Sequence, residues 1–161
     1  MAKFDFQDGK GPVAAHRHIN GGGWIADTAT VDDSVYVGPD ARVFGNARVS
    51  GNALVFGNAL VFGNAWVFGN ALVSGNACVY DNALVFDDAQ VYSNARVSGN
   101  ARVSDNAWVF DDAWVFGNVF TVQIPECLKS WRENASLGAK NSLSPSEVDQ
   151  VNDYILFLES K

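Results

Sequence analysis

The sequence predicts an all-β solenoid of about five triangular coils. Three observations predict it. An aliphatic residue recurs every six positions without a slip, from Ile25, Val31 and Val37 through Val103, Val109 and Val115, sixteen units in all. The fifth position of each unit is small and apolar: Ala29, Val35 and Ala41, then alanine at every sixth residue to Ala113, and finally Val119. The third and fourth positions are Gly-Asn in most units, as at Gly45-Asn46 and Gly51-Asn52, and mostly Asp-Asn, Ser-Asn or Asp-Asp elsewhere.

A helix cannot bury this pattern, because a six-residue step at about 100° per residue walks the valine row around the helix. A strand can. In Ala-x-Val the outer two residues share one face of a short strand and point inward, while the middle residue points outward. Gly, Asn and Asp then tolerate the positive φ of a tight corner; the first three turns, Asp27-Thr28, Asp33-Ser34 and Pro39-Asp40, are looser versions. Three corners close a triangle. Stacking each coil on the next by parallel hydrogen bonds satisfies the backbone everywhere but at the two ends, and gives a prism roughly 25 Å tall at about 4.8 Å per layer.

The flanks read as ends of this prism. Residues 1–23 are a lead-in whose Gly21-Gly22-Gly23 makes a flexible approach to the first coil at Trp24, and the repeats occupy 24–122. Residues 123–161 read as a C-terminal helical segment. Ile124-Pro125 opens a short helical stretch. Ser144-Pro145-Ser146-Glu147 then supplies an N-cap, a first-turn proline and a capping-box glutamate ahead of Val148, Val151, Ile155 and Leu158 on one face.

Composition removes several classes. At 161 residues, 48% hydrophobic and 18% charged, the chain is neither disordered nor membrane-spanning, since no apolar run approaches the roughly 20 residues a bilayer helix needs. A net charge of −7 argues against a nucleic acid polymer or an anionic membrane as partner. The start has no apolar stretch of the kind a secretion signal carries, and two cysteines, Cys78 and Cys127, are too few for a disulfide framework; both point to the cytoplasm.

The unbroken pattern aliphatic-x-x-x-Ala-x over Ile25 to Phe120 resembles the hexapeptide repeat of left-handed parallel β-helices, found in acyltransferases, γ-class carbonic anhydrases and many uncharacterised bacterial and phage proteins. The resemblance alone implies the left hand, because parallel crossovers are otherwise right-handed. It also implies a homotrimer of prisms standing side by side.

The residues on either side of each valine face outward and should be polar in a monomer, yet fourteen aromatic residues sit there, among them Phe44, Phe62, Trp66, Phe86 and Phe116. That area predicts association. An eighteen-residue step sorts the outward residues onto three faces. Face one, through Ile25, Val43 and so on to Val115, shows Arg42/Phe44, Leu60/Phe62, Cys78/Tyr80, Arg96/Ser98 and Trp114/Phe116. Face two shows Thr30/Asp32, Arg48/Ser50, Trp66/Phe68, Leu84/Phe86 and Arg102/Ser104. Face three shows Tyr36/Gly38, Leu54/Phe56, Leu72/Ser74, Gln90/Tyr92 and Trp108/Phe110; it carries no formal charge and is the expected subunit interface.

The four arginines of the repeats fall in two bands, Arg42 with Arg48 and Arg96 with Arg102, each straddling one corner. The second band has the richer aromatic surroundings. There Arg96 and Arg102 are candidates to hold an anion, Tyr80, Trp108 and Trp114 to stack on a planar ring, and Ser98 and Ser104 to orient it, which describes a small anionic, nucleotide-like ligand. The same arginines can equally stack on exposed rings or pair with Asp87, Asp88, Asp111 and Asp112.

Catalytic chemistry has little to draw on. The family's transferases resemble one another in using a repeat-borne histidine as general base with acyl-CoA along the coils, but here no histidine follows His18 and no glutamate lies between Trp24 and Thr121. The zinc of γ-carbonic anhydrases needs three histidines, and only His16 and His18 exist, in what reads as a surface stretch. Asp87-Asp88 and Asp111-Asp112 read as solvated turns, and Cys78 faces outward with no base beside it. No catalytic residue, metal or cofactor is expected. The expectation is therefore a non-enzymatic homotrimer that binds or sequesters the ligand in clefts between subunits. The alternatives are a CoA-dependent acyltransferase with an unrecognised base, and a purely structural assembly or phage-particle module.

Overall fold

The computed structural model describes residues 2–121. After the first, each unit contributes a strand of two residues ending on its aliphatic position, as in Arg42–Val43, Leu60–Val61 and Cys78–Val79. Between the first and last coils every strand pairs in parallel with the strands eighteen residues before and after it, so Trp66 lies between Arg48 and Leu84, and Leu72 between Leu54 and Gln90. Three sheets result, one per face, of eight, six and five strands. The chain is an all-β solenoid of about five coils, as the spacing predicts, and among the described residues there is no helix.

The core is the two inward rows and little else. Alanines from Ala41 to Ala107 and valines from Val37 to Val109 are essentially sealed from water in one continuous cluster. Two small residue types leave no room for polar side chains inside, so the corners must satisfy their own groups. From Gly45 to Gly117 the third residue of each turn that lies in the left-handed region is Gly, Asp or Ser. A Cβ on Gly63 would stand 2.9 Å from the Asp81 backbone nitrogen of the coil above, so coils meet at van der Waals contact there. The first three turns take another form: there Thr28 and Ser34 stand where later turns have asparagine, and their hydroxyls donate to the Gly45 and Gly51 carbonyls of the next coil. Later asparagines form ladders. Along one corner Asn46, Asn64 and Asn82 each donate through Nδ2 to Oδ1 of Asn64, Asn82 and Asn100 respectively, at 3.1 to 3.5 Å.

The lead-in differs from the flexible approach expected of it. β1 (Lys3–Phe4) and β2 (Val13–Arg17) form an antiparallel hairpin, and β2 adds antiparallel to β3 (Trp24–Ala26), covering the open edge of the first coil on face one. The reason is the cost of bare strand edges. On face three the edge is closed by the glycine stretch, where Gly23 N–H donates to the Val37 carbonyl and Val37 N–H to that of Asn20. Gly21 and Gly23 fit because a Cβ on either would collide with Val37. His16-Arg17-His18 is accordingly not simply a surface stretch: His18 is buried with Nε2 2.9 Å from the Val35 carbonyl, while exposed His16 pairs with Asp27 at 2.8 Å. The helical segment expected over 123–161 lies outside the described residues.

The outward rings are less bare than the alternation suggests. Those following the valines stack coil on coil: Phe44 on Phe62 and Phe62 on Tyr80 along face one, Phe68 on Phe86 along face two, and Tyr92 on Phe110 along face three, at 4.9 to 5.2 Å. At Ala26, Ser50 and Ser98, where this column meets a small residue, a ring from elsewhere lies at the rung. Phe6 of the hairpin stacks on Phe44 in the first coil, where the column residue is Ala26. Trp66 leans back to donate to Ser50, and Trp114 to Ser98.

Burial places the stability in the valine row. Val67→Ala is expected to lower the unfolding free energy by about 2–3 kcal/mol through lost burial and a residual cavity, while Leu54→Ala, half in water, lowers it by less than about 1 kcal/mol; urea unfolding followed by circular dichroism measures both.

Candidate functional site

The candidate residues gather on the fifth coil, where the segments Arg96-Val97-Ser98 and Arg102-Val103-Ser104 flank the corner at Gly99-Asn100. Strand register fixes their neighbours. Arg96 lies between Cys78 and Trp114 on face one, and Arg102 between Leu84 and Phe120 on face two. Tyr80 stands one coil below Ser98 in the ring column, its other side stacked on Phe62. Face one thus brings Arg96, Ser98, Tyr80 and Trp114 together. Trp108 stands apart on face three, beside Gln90, and Arg102 and Ser104 lie round the corner on face two.

Both serines are committed. Ser98 is 4% exposed and accepts the Trp114 indole N–H at 3.2 Å; Ser104 is 2% exposed and donates to the Asp105 carboxylate at 3.2 Å. A small residue in the column and an indole leaning over it leave no open hydroxyl on face one for a ligand. Trp114 itself is 58% exposed and meets Phe116 at 5.1 Å, tilted by 47°. Trp66 with Phe68 repeats this tilted pair at 4.7 Å and 41°, again over a serine, Ser50. The sequence signal for the device is a Trp-Val-Phe triplet with serine sixteen residues before the tryptophan.

The two arginine bands differ in their first members, Arg42 and Arg96, whereas Arg48 is exposed as Arg102 is. Arg42 is half-buried, stacks over Phe4 at 5.6 Å and donates to Gln7 Oε1 at 3.2 Å, so the hairpin absorbs it. Arg17 is absorbed likewise, over Trp24 at 4.3 Å and against the Gly22 and Pro39 carbonyls. Arg96 and Arg102 are exposed; Arg102 passes over Phe120 at 5.9 Å. Among the described residues neither pairs with a carboxylate, the ion pairs there being Lys10–Asp8 and His16–Asp27. The acids lie elsewhere on the prism: Asp87, Asp88 and Asp105 at the corner between faces two and three, and Asp111 and Asp112 at the corner between faces three and one. Asp81, nearest the arginines in sequence order of corners, turns its carboxylate to the Gly99 N–H at 3.2 Å.

Between the bands, residues 49–80 carry no Asp, Glu, Lys, Arg or His. They wind nearly twice round the prism and leave an uncharged belt on all three faces, with Leu54 and Trp66 each 40% exposed. Among the described residues no three His, Cys, Asp or Glu side chains converge as a metal site needs, and no helix is long and apolar enough to cross a membrane.

Cys78 reports on Arg96. Burial holds its thiol above the ordinary range, and the guanidinium one coil up draws it part of the way back. Because the folded state disfavours the thiolate, this group supports folding fully below the usual thiol range, and that support is lost as pH rises through the raised value. In a Cys127→Ser background, alkylation by iodoacetamide at pH 8 is expected to be slower than that of an unfolded control, and Arg96→Ala to slow it further.

No curated protein matches the chain. Residues 41–55, 89–102 and 95–111 match a family model described as the YdcK beta solenoid repeat, which agrees with the coil geometry above and makes this chain a β-solenoid repeat protein.

Proposed function

We propose that this chain is a non-enzymatic assembly module of the cytoplasm: a left-handed β-helix of the hexapeptide-repeat type whose copies stand side by side as a homotrimer. The observation that carries the proposal is face three. Tyr36, Leu54 and Phe56 are 36 to 40% exposed on a face with no formal charge, flanked by corners that do carry charge. Flat sheets with bulky apolar side chains and charge confined to the rim match the anatomy of a subunit contact. For acyl transfer the described residues offer no histidine outside the cap, where His16 is paired to Asp27 and His18 to the Val35 carbonyl. Sedimentation at micromolar concentration is expected to give a species of three chains, and Leu54→Glu with Phe56→Glu to dissociate it at least tenfold more readily. A single-chain species at every concentration would end the proposal.

A second function rests on the exposed guanidinium of Arg96 between the Cys78 and Trp114 rows, with no carboxylate beside it. It suits a small anion bearing a planar ring, held where subunits meet. Thermal shift with millimolar mono-, di- and cyclic nucleotides is expected to stabilise the wild type and not Arg96→Ala; no shift in the wild type removes this function and leaves the assembly intact.

A further inference from the structure

Three Arg-Val-Ser triplets occur in the chain, at 48–50, 96–98 and 102–104, and three Trp-Val-Phe triplets, at 66–68, 108–110 and 114–116. Register decides which of them meet. Trp66-Val67-Phe68 lies directly above Arg48-Val49-Ser50 on face two, and Trp114-Val115-Phe116 directly above Arg96-Val97-Ser98 on face one. The other triplets miss each other: Trp108 stands over Gln90, and Arg102 lies under Phe120.

Where two triplets coincide, the same four side chains make the same arrangement. The indole N–H reaches down one coil to donate to the serine hydroxyl, at 3.5 Å from Trp66 to Ser50 and 3.2 Å from Trp114 to Ser98. Each indole meets the phenylalanine two residues on at a tilt, 4.7 Å and 41° for Phe68 and 5.1 Å and 47° for Phe116. The ring is thus restrained at its nitrogen and along one side, yet both indoles remain exposed. The arginine beneath is exposed in both copies as well, and among the described residues neither Arg48 nor Arg96 stacks on a ring or pairs with a carboxylate. Arg102, with no indole above it, passes over the Phe120 ring instead.

An unpaired guanidinium and a restrained indole set one coil apart, about 4.8 Å along the prism, limit the size of what fits. One planar ring lies on the indole, and one phosphate or carboxylate a few bonds away accepts from the guanidinium fork. That is the class proposed above for Arg96, and the present inference rests on that function. We infer that face two carries a second site of the same kind, built from Arg48, Ser50, Trp66 and Phe68, so that each chain takes two small anions bearing a planar ring. The sites differ in one neighbour. Below Ser50 on the same face stands Asp32, whereas below Ser98 stands Tyr80. The carboxylate repels the anion and makes the face-two site the weaker by severalfold, so nucleotide at a few millimolar reads face one, and face two fills at tens of millimolar.

The test reads each site through its own indole. In isotope-labelled full-length chain, Trp66→Phe and Trp114→Phe assign the two indole N–H signals by heteronuclear NMR. Adenosine monophosphate, titrated at constant ionic strength, is expected to shift both, Trp114 first and Trp66 at severalfold higher concentration. Adenosine, which lacks the phosphate, is expected to act at least fivefold more weakly at each. Arg48→Ala is expected to weaken the Trp66 response at least fivefold and to keep that of Trp114 within about twofold. Backbone amide spectra report whether the coils persist; should they not, Arg48→Gln, which keeps most of the stem, is expected to give the same loss. A shift at Trp114 alone overturns the second site and leaves the Arg96 function standing. No shift at either indole overturns both, and a shift at Trp66 alone overturns the Arg96 function and with it the pair. A Trp66 response that survives the loss of Arg48, or that adenosine matches, overturns the second site as built.

Discussion

Every coil must be the same length, and the rest of the molecule follows from that. A parallel ladder eighteen residues apart lets the backbone of one coil satisfy the next only if no residue is inserted or lost. The corners enforce it. At Gly45, Gly51 and Gly57 the turn residue sits in the left-handed region with the next coil's backbone where a Cβ would be, and the following asparagine donates through its side chain to the asparagine above, while the Asn46 and Asn52 N–H groups donate to the Gly63 and Gly69 carbonyls. Given identical corners, alanine and valine are what remain to fill the narrow interior, and stability becomes a sum over coils.

The repeat was legible because its period belongs to local geometry. Val67 and Ala65 point inward for the same reason in every coil, and a reader of the chain can count them. What escaped that reading is carried by distance. Ser50 and Ser98 look like exposed polar residues until the tryptophan sixteen places later is seen lying over them, and Phe4 and Phe6 sit in a lead-in with no period, although they complete the ring column and absorb Arg42. Likewise His18 is buried by the Val35 carbonyl, a contact across the end of the prism that no spacing announces.

The candidate site divides along the same line. That Arg96 and Arg102 straddle a corner follows from counting in sixes, and so does the exposure of Trp114. That the hairpin occupies Arg42 while nothing described occupies Arg96, and that Ser98 and Ser104 are spent inside the protein, depends on side-chain packing between coils. The two bands are nearly identical in sequence, Arg-Val-Phe-Gly-Asn-Ala-Arg-Val-Ser against Arg-Val-Ser-Gly-Asn-Ala-Arg-Val-Ser, and differ in surroundings because Arg42 lies beside the cap and Arg96 far from it.

The antiparallel hairpin on the first coil has a topological outcome. A stack of parallel coils with a naked first layer is a template on which the last layer of another molecule can seat, and nothing in such a repeat would limit growth into fibres. By running backwards across that layer, Val13–Arg17 presents strands of the wrong polarity to any incoming coil. Along face one, head-to-tail addition at this end of the molecule thereby meets a dead end.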